Sequence, residues 1–224
     1  MPADFEKQSY WRERFVNEDS FEWLVSSATF IATIEPYLER GQSPSCHAKH
    51  RKTRILQLGS GTSDLQNILR TKGYLNVTNV DFEPLALERG RRLEASVFGD
   101  VRLQYAVADV TQLQRDLRRP EAYDVVLDKS TADAVSCGGE EALMGMAKSV
   151  RDCLAEDGFW ISLSYSASRF DIRGLPFEVE AISKIRTPKE RSSDPDVFYW
   201  CYLLRPRACN PRFSVGQFVD TSTC

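Results

Sequence analysis

The chain reads as an α/β protein with a doubly wound, Rossmann-like, seven-stranded sheet. The sheet is expected to be mostly parallel, with an antiparallel C-terminal strand and helices on both faces. Three observations predict it. From Arg54 onward, short apolar runs alternate with helical segments, the pattern of right-handed β-α-β units. The first run, Ile55-Leu56-Gln57-Leu58, ends in Gly59-Ser60-Gly61, which reads as a buried strand turning sharply into a helix. Two late β-rich runs, 177–185 and 198–204, flank a charged, Pro-containing loop, as a closing antiparallel pair would.

The elements follow in order. Over residues 4–40, Phe5, Tyr10, Trp11, Phe15, Trp23, Phe30, Ile31, Ile34 and Leu38 recur at helical spacing, with a break near Asn17-Glu18-Asp19-Ser20. Residues 41–52 form a polar linker with Pro44 that ends in a basic cluster. Strand 54–58 precedes a helix over 63–72. Strand 77–81 precedes a helix over 84–96, with Pro84 in its first turn. Residues 101–107 alternate with period two and form the third strand. Strand 123–127 leads to a helix over 140–154, and strand 159–164 follows Gly158. The tail after Arg205 is polar. The expected organisation is one domain: a helical lead and linker (1–53), a core (54–205) and a tail (206–224).

Composition narrows the class. A formal charge of −3 gives no electrostatic reason to expect nucleic acid. No run approaches the roughly 18 apolar residues of a membrane span. The first residues are polar and acidic-leaning, unlike a secretory or transit peptide. Six scattered cysteines without a C-x-x-C pair read as free intracellular thiols, so a cytoplasmic or nuclear location is expected. Cys46, His47 and His50 lack a fourth ligand at suitable spacing, and no metal is expected.

Ligands in doubly wound sheets bind outside the carboxyl ends of the strands. The positions to weigh are therefore Gly59 to Gly61, Asp81 with Phe82, Asp109 with Val110, and Asp128 with Lys129. Asp81 follows the glycines at about the distance where a carboxylate accepts from both ribose hydroxyls. A dinucleotide fingerprint wants a third glycine where this chain has Asp64, and an acid there repels a pyrophosphate. A ligand with ribose and adenine but no phosphates fits, and S-adenosylmethionine is such a ligand. Phe82 is placed to cover an adenine face. Asp109 either accepts from the adenine amino group or serves as a turn or cap aspartate. The aromatic lead, with Tyr10, Trp11, Phe15, Phe21 and Trp23, either packs on the sheet or closes over a sulfonium, and different rings can do each. Asp128 either orients an amine acceptor or caps a helix or pairs locally. Both histidines lie in the linker, so no Ser/His/Asp set forms. Methyl transfer, which chiefly requires positioning, remains attractive.

Several motifs together resemble the class I (seven-strand) methyltransferases, and more narrowly the branch that includes protein-lysine methyltransferases acting on translation elongation factor 1A. They are Tyr10-Trp11 with Phe15, Phe21-Glu22-Trp23, Leu58-Gly59-Ser60-Gly61-Thr62-Ser63, Asn79-Val80-Asp81, Asp109-Val110-Thr111 and the run from Val126 through Asp128, Lys129, Ser130, Thr131 and Asp133 to Val135. The resemblance implies S-adenosylmethionine as cofactor and a protein substrate with an accessible lysine. It implies cofactor contacts at Trp11, Phe15, Trp23, Gly59, Asp81, Phe82, Asp109, Val110 and Lys129, with Ser60 and Gly61 in the glycine motif. Family members commonly have Lys-Gly-Thr-Leu-Asp where this chain has Lys129-Ser130-Thr131-Ala132-Asp133, which alters the wall facing the acceptor. A small-metabolite acceptor, or a non-catalytic cofactor-binding partner subunit, fits the same motifs. Arg186, Lys189 and Arg191, with the linker cations from Lys49 to Arg54, either dock an acidic partner or are solvated charge.

Overall fold

The computed structural model describes residues 4–39, 52–117, 122–187, 189, 191 and 193–207. Two helices lead the chain, α1 (Gln8–Asn17) and α2 (Ser27–Leu38). They are followed by β1 (Arg54–Leu58), α3 (Leu65–Thr71), β2 (Asn76–Asp81), α4 (Pro84–Phe98), β3 (Gln104–Val107) and α5 (Leu113–Asp116). The second half holds β4 (Tyr123–Lys129), α6 (Thr131–Ser136), α7 (Glu140–Cys153), β5 (Leu154–Ser164), β6 (Phe177–Arg186) and β7 (Phe198–Pro206). One seven-stranded sheet runs in the order β3-β2-β1-β4-β5-β7-β6. β7 is its antiparallel member, pairing with β5 on one side and β6 on the other. The other pairings, from β3 across to β5, are parallel. The strand order reverses between β1 and β4, which opens a crevice at their carboxyl ends.

Local signals set the helices. Ser26 caps α2, its hydroxyl accepting from the Thr29 amide at 3.2 Å. Pro84 opens α4 and Gly99 closes it in a left-handed turn. The sheet is buried on both faces. On one, Phe30, Ile31, Ile34 and Leu38 of α2 and Leu65 and Leu69 of α3 meet Ile55, Val77, Leu127 and Ile161. On the other, Leu143, Met146, Ala147 and Val150 of α7 meet Leu56, Val80, Val126 and Trp160. Phe170 and Phe177 approach the buried Trp160 ring edge-on, at 5.1 and 5.7 Å.

Several boundaries differ from the sequence expectation. The third strand begins at Gln104 rather than near 101, because the Arg102 and Leu103 amides donate to the buried Glu94 carboxylate instead of to a neighbouring strand. Tyr105 donates to the same carboxylate, and Arg70 pairs with it. The helix after β1 is shorter than 63–72, and β4 runs on to Lys129. β5 starts directly at Leu154, where α7 stops. Helices α5 and α6, of four and six residues, are too short to show a helical period in the sequence. The linker over 41–51, with Cys46, His47 and His50, and the tail from 208 lie outside the described residues. Among the described residues, no helix is long and apolar enough to cross a membrane.

Candidate active site

A cavity of about 670 Å³ opens at the carboxyl ends of the strands, within the 300–1,000 Å³ range usual for ligand sites. Its wall carries Gly59, Ser60 and Gly61 from the turn after β1, and Asp81 and Phe82 from the end of β2. Asp109 and Val110 come from the loop after β3, Lys129 from the end of β4, and Trp11, Phe15 and Trp23 from the N-terminal lead. The structure thus brings these eleven residues around one space.

The two glycines do different work. Both adopt φ +53°, in the left-handed region. A Cβ on Gly59 would lie 2.3 Å from Thr131 Oγ1, whereas a Cβ on Gly61 would meet nothing nearer than 4.0 Å. Thr131 occupies that space because its hydroxyl donates to the Leu58 carbonyl at 2.9 Å. Gly61 instead offers its amide to Asp81 Oδ2 at 2.9 Å, while the Glu83 amide donates to Oδ1 at 2.9 Å. The Ser60 amide ties the turn to the Val80 carbonyl at 3.0 Å. Burial pushes the Asp81 carboxyl up to about 6, against the pull of these backbone donors. Asp109 is a turn aspartate in this state: its carboxylate accepts from the Thr111 amide at 2.8 Å and hydroxyl at 2.7 Å, and from Gln112 at 3.2 Å.

The aromatic lead packs as a cluster that also faces the cavity. Trp11 stands 5.6 Å from Phe15 and 5.8 Å from Trp23, ring centre to ring centre. Its indole donates to the Phe5 carbonyl at 2.6 Å. The Arg14 guanidinium covers Phe21 and Trp23 at 4.6 and 4.7 Å. Gln8 reaches the Phe82 carbonyl at 2.5 Å, and Thr62 Oγ1 accepts from the Phe21 amide at 3.1 Å. Lys129 fastens this segment to the core. Its ammonium pairs with Glu22 at 2.5 Å and donates to the carbonyls of Trp23 and Val25 at 3.0 and 3.1 Å. All three of its donors are thereby engaged, and burial pulls its pKa down despite Glu22. Glu22 also accepts from Ser27 at 2.9 Å and from the Asp64 amide at 3.3 Å, so a carboxylate sits at the start of α3.

Asp128 requires correction. The sequence reading offered it to an amine acceptor, but it is fully buried and does not line the cavity. Its carboxylate accepts from the Trp160 indole at 2.8 Å and the Ala132 amide at 3.1 Å, which is the local capping alternative. Burial raises its pKa to about 6. Neighbouring residues of a strand face opposite sides, so Lys129 reaches the lead while Asp128 turns into the interior. The loop cations are also partly spent, since Arg186 and Lys189 both pair with Asp196, at 3.1 and 2.9 Å. Among the described residues, no cluster of three or more His, Cys, Asp or Glu could hold a metal.

Asp133 and Tyr165 also line the cavity, with Arg169 against both, and the sequence singles out none of the three as a site residue. Asp133 is buried, with Oδ1 bound by Arg169 Nε at 2.9 Å and by Ser164, and Oδ2 by Ser130 Oγ and the Tyr165 amide, both at 3.1 Å. The acid at 133 was visible within the strand-4 motif; Arg169 carries no signal of its own.

No protein-family model matches the chain. It is 53% identical over 208 residues to Methyltransferase srdJ of Neurospora crassa, covering 92% of this chain and 86% of that protein. It is 30% identical over 183 residues to EEF1A lysine methyltransferase 4 of Mus musculus, covering 75% of this chain and 65% of that one. Among solved structures, magnesium protoporphyrin IX methyltransferase from Synechocystis PCC 6803, with bound SAM, superposes with a TM-score of 0.53 at 14% identity, over 90% of this chain and 93% of that one. The last likeness establishes the fold, and the first, long and high in identity, establishes kinship: the chain belongs to the class I S-adenosylmethionine-dependent methyltransferases.

Proposed function

We propose that the cavity binds S-adenosylmethionine and that the chain methylates an amine, with a protein lysine as the acceptor. The charge of the wall carries this reading. Among the described residues, five charged ones line the cavity: Lys129 is paired with Glu22 and Asp133 with Arg169, which leaves the carboxylates of Glu6, Asp81 and Asp109 to set the sign of the wall. Such a wall attracts a sulfonium and an ammonium and disfavours an anionic acceptor.

The residues fit the cofactor. Asp81, buried at the strand end, keeps acceptor capacity for ribose hydroxyls beyond its two amide bonds. Phe82 and Val110 offer apolar surface to the adenine, and Asp109 its remaining acceptor capacity to the amino group. Trp11, Phe15 and Trp23 offer ring faces to the sulfonium. Glu22 at the start of α3 makes that helix end a poor phosphate site. When bound, S-adenosylmethionine supplies an electrophilic methyl group. The protein's part is to align the acceptor and exclude water. Ala134, Val135 and Ala142 line the cavity and would desolvate the amine, easing loss of its proton from a starting pKa near 10.4.

The name of the mouse relative points to a lysine of elongation factor 1A as the specific candidate. A second reading, a small-molecule acceptor, is favoured by the lead, which is fastened over the cavity through Gln8, Phe21 and Glu22. The described cysteines, Cys137, Cys153 and Cys201, are free, which supports a cytoplasmic or nuclear setting.

The test is transfer of tritium from methyl-labelled S-adenosylmethionine into size-fractionated cell extract, with Asp81→Ala as control. A discrete labelled protein, lost in the variant, supports the lysine reading. Label confined to small molecules moves the function to metabolite methylation. Cofactor binding by calorimetry without any label refutes catalysis in favour of a partner-subunit role.

A further inference from the structure

The wall opposite Asp81 and Phe82 holds a feature that cofactor binding does not explain. Tyr165 follows the last residue of β5, lines the cavity, and is nonetheless 57% exposed. Its backbone and one side of its ring are held by neighbours. Its amide donates to Asp133 at 3.1 Å, and the Arg169 guanidinium lies 5.1 Å from its ring centre. Arg169 is itself fixed by Asp133 and Ser136. The turn beyond is closed by the Ser166 amide on Ser164 Oγ at 3.0 Å and by the Tyr202 hydroxyl on the Ser166 carbonyl at 2.7 Å.

The wall also stores strain. Ser130 adopts φ +72°, a left-handed conformation that a residue with a Cβ adopts only at a cost. Its hydroxyl bonds Asp133 in return. Strain of this kind persists where the surroundings over-determine it, and it clusters at functional sites. Every hydrogen-bonding position of Asp133 that the structure shows is directed at holding this wall, so Asp133 is not itself available to a ligand.

Resting on the methyltransferase reading above, we infer that Tyr165 contacts the methyl acceptor and governs which acceptors enter, and that Asp133 and Arg169 are positioning residues that hold it at the cavity mouth. Arg169 lies against the ring, and Tyr165 lines the cavity with more than half of its surface exposed. An amine or its alkyl stem passing into the cavity would run along that surface. Tyr165 therefore selects acceptors by ring contact, and Asp133 and Arg169 act through it.

The experiment compares wild type with Tyr165→Ala, Tyr165→Phe and Arg169→Lys. It reads calorimetric affinity for S-adenosylmethionine, thermal midpoint, and initial rate of tritium transfer across dilutions of extract. Tyr165→Ala is expected to raise the apparent KM for the labelled acceptor about tenfold, the upper part of what an aromatic contact to an ammonium supplies. Cofactor affinity and midpoint should stay at wild-type values. Tyr165→Phe should restore most of the KM, and Arg169→Lys should raise KM while sparing kcat. Unchanged KM in Tyr165→Ala overturns the inference, as does a parallel fall in midpoint and cofactor affinity, the mark of a merely structural role. Absence of label with the wild type overturns both this inference and the methyltransferase reading. Label with the wild type and equally with Tyr165→Ala overturns this inference alone.

Discussion

Gly59 and Gly61 allow a clean separation of backbone strain from close approach. Both have φ +53°, so alanine at either position meets the same left-handed penalty, roughly 1–2 kcal/mol. The gain from stiffening the unfolded chain is also the same at both. Only the space differs. At Gly61 the new methyl meets the Gly59 carbonyl and the Phe15 ring at ordinary contact, both 4.0 Å away. At Gly59 it would lie 2.3 Å from Thr131 Oγ1, 2.8 Å from Cγ2 and 3.1 Å from Cβ, and Thr131 is held there by the Leu58 carbonyl. Overpacking of this kind adds roughly 1–3 kcal/mol. Gly61→Ala should therefore cost about 1–2 kcal/mol and Gly59→Ala about 2–5. Urea denaturation reads the difference as a shift in midpoint of about 1 M at an m-value near 2 kcal/mol/M. Thr131→Ala in the Gly59→Ala background removes the two nearest atoms and should recover part of the loss, a coupling of about 1 kcal/mol. Equal midpoints for the two single variants, or no recovery in the double variant, would refute the argument that Gly59 exists to admit Thr131.

Two further outcomes follow from buried carboxylates. Asp128→Ala leaves the Trp160 indole and Ala132 amide without their acceptor and should destabilise by about 2–4 kcal/mol. Because Asp128 does not line the cavity, calorimetry on the folded variant should return the wild-type affinity for S-adenosylmethionine; a large loss of affinity would restore Asp128 to the site. The Asp81 carboxyl, pushed up to about 6 by burial, binds a proton more readily folded than unfolded, where it titrates near 3.9. Stability of the ligand-free protein should therefore rise as pH falls from about 6 to 4, with Asp128 contributing in the same sense. Cofactor affinity should move the other way, falling about tenfold between pH 7 and pH 5 as Asp81 loses the acceptor capacity that ribose hydroxyls need. Asp81→Asn should flatten the affinity profile, and an unchanged slope in that variant would assign the titration elsewhere.

The sheet was legible because each strand announces itself locally. Ile55 to Leu58 is a largely apolar run stopped by glycine, as burial on both faces favours, and Val77 and Val80 bracket Thr78 and Asn79 before Asp81 stops the strand. The sequence makes β3 look longer than it is because the residues before it alternate, while the acceptor that withdraws their amides, Glu94, lies on the preceding helix. The choice between Asp128 and Lys129 was beyond a one-dimensional reading for a similar reason. Adjacent residues of a central strand face opposite sides, and nothing local says which side is the cleft. The deciding partners are Trp160, 32 residues later, and Glu22, 107 residues earlier.

Those distant ties share a destination. Glu22 meets Lys129, Gly59 makes room for Thr131, and Arg169 meets Asp133. The stretch from 128 to 133 thus anchors the aromatic lead at one end, the glycine turn in its middle and the Tyr165 wall at the other. Within it, Lys129, Thr131 and Asp133 are fixed by partners elsewhere in the chain. The Ser130 amide is held by the Leu163 carbonyl at 2.8 Å, a backbone bond that a change of side chain keeps, while its hydroxyl bonds Asp133 beside it. A substitution at 130 can therefore change the wall without releasing the lead or the turn. On the proposed reading, serine at 130, where the family resemblance implies glycine, adds a hydroxyl and left-handed backbone strain to the acceptor side. On that same proposed reading, acceptor choice and cofactor binding are separable within the six residues from 128 to 133, which is what a common methyltransferase core needs in order to serve different acceptors.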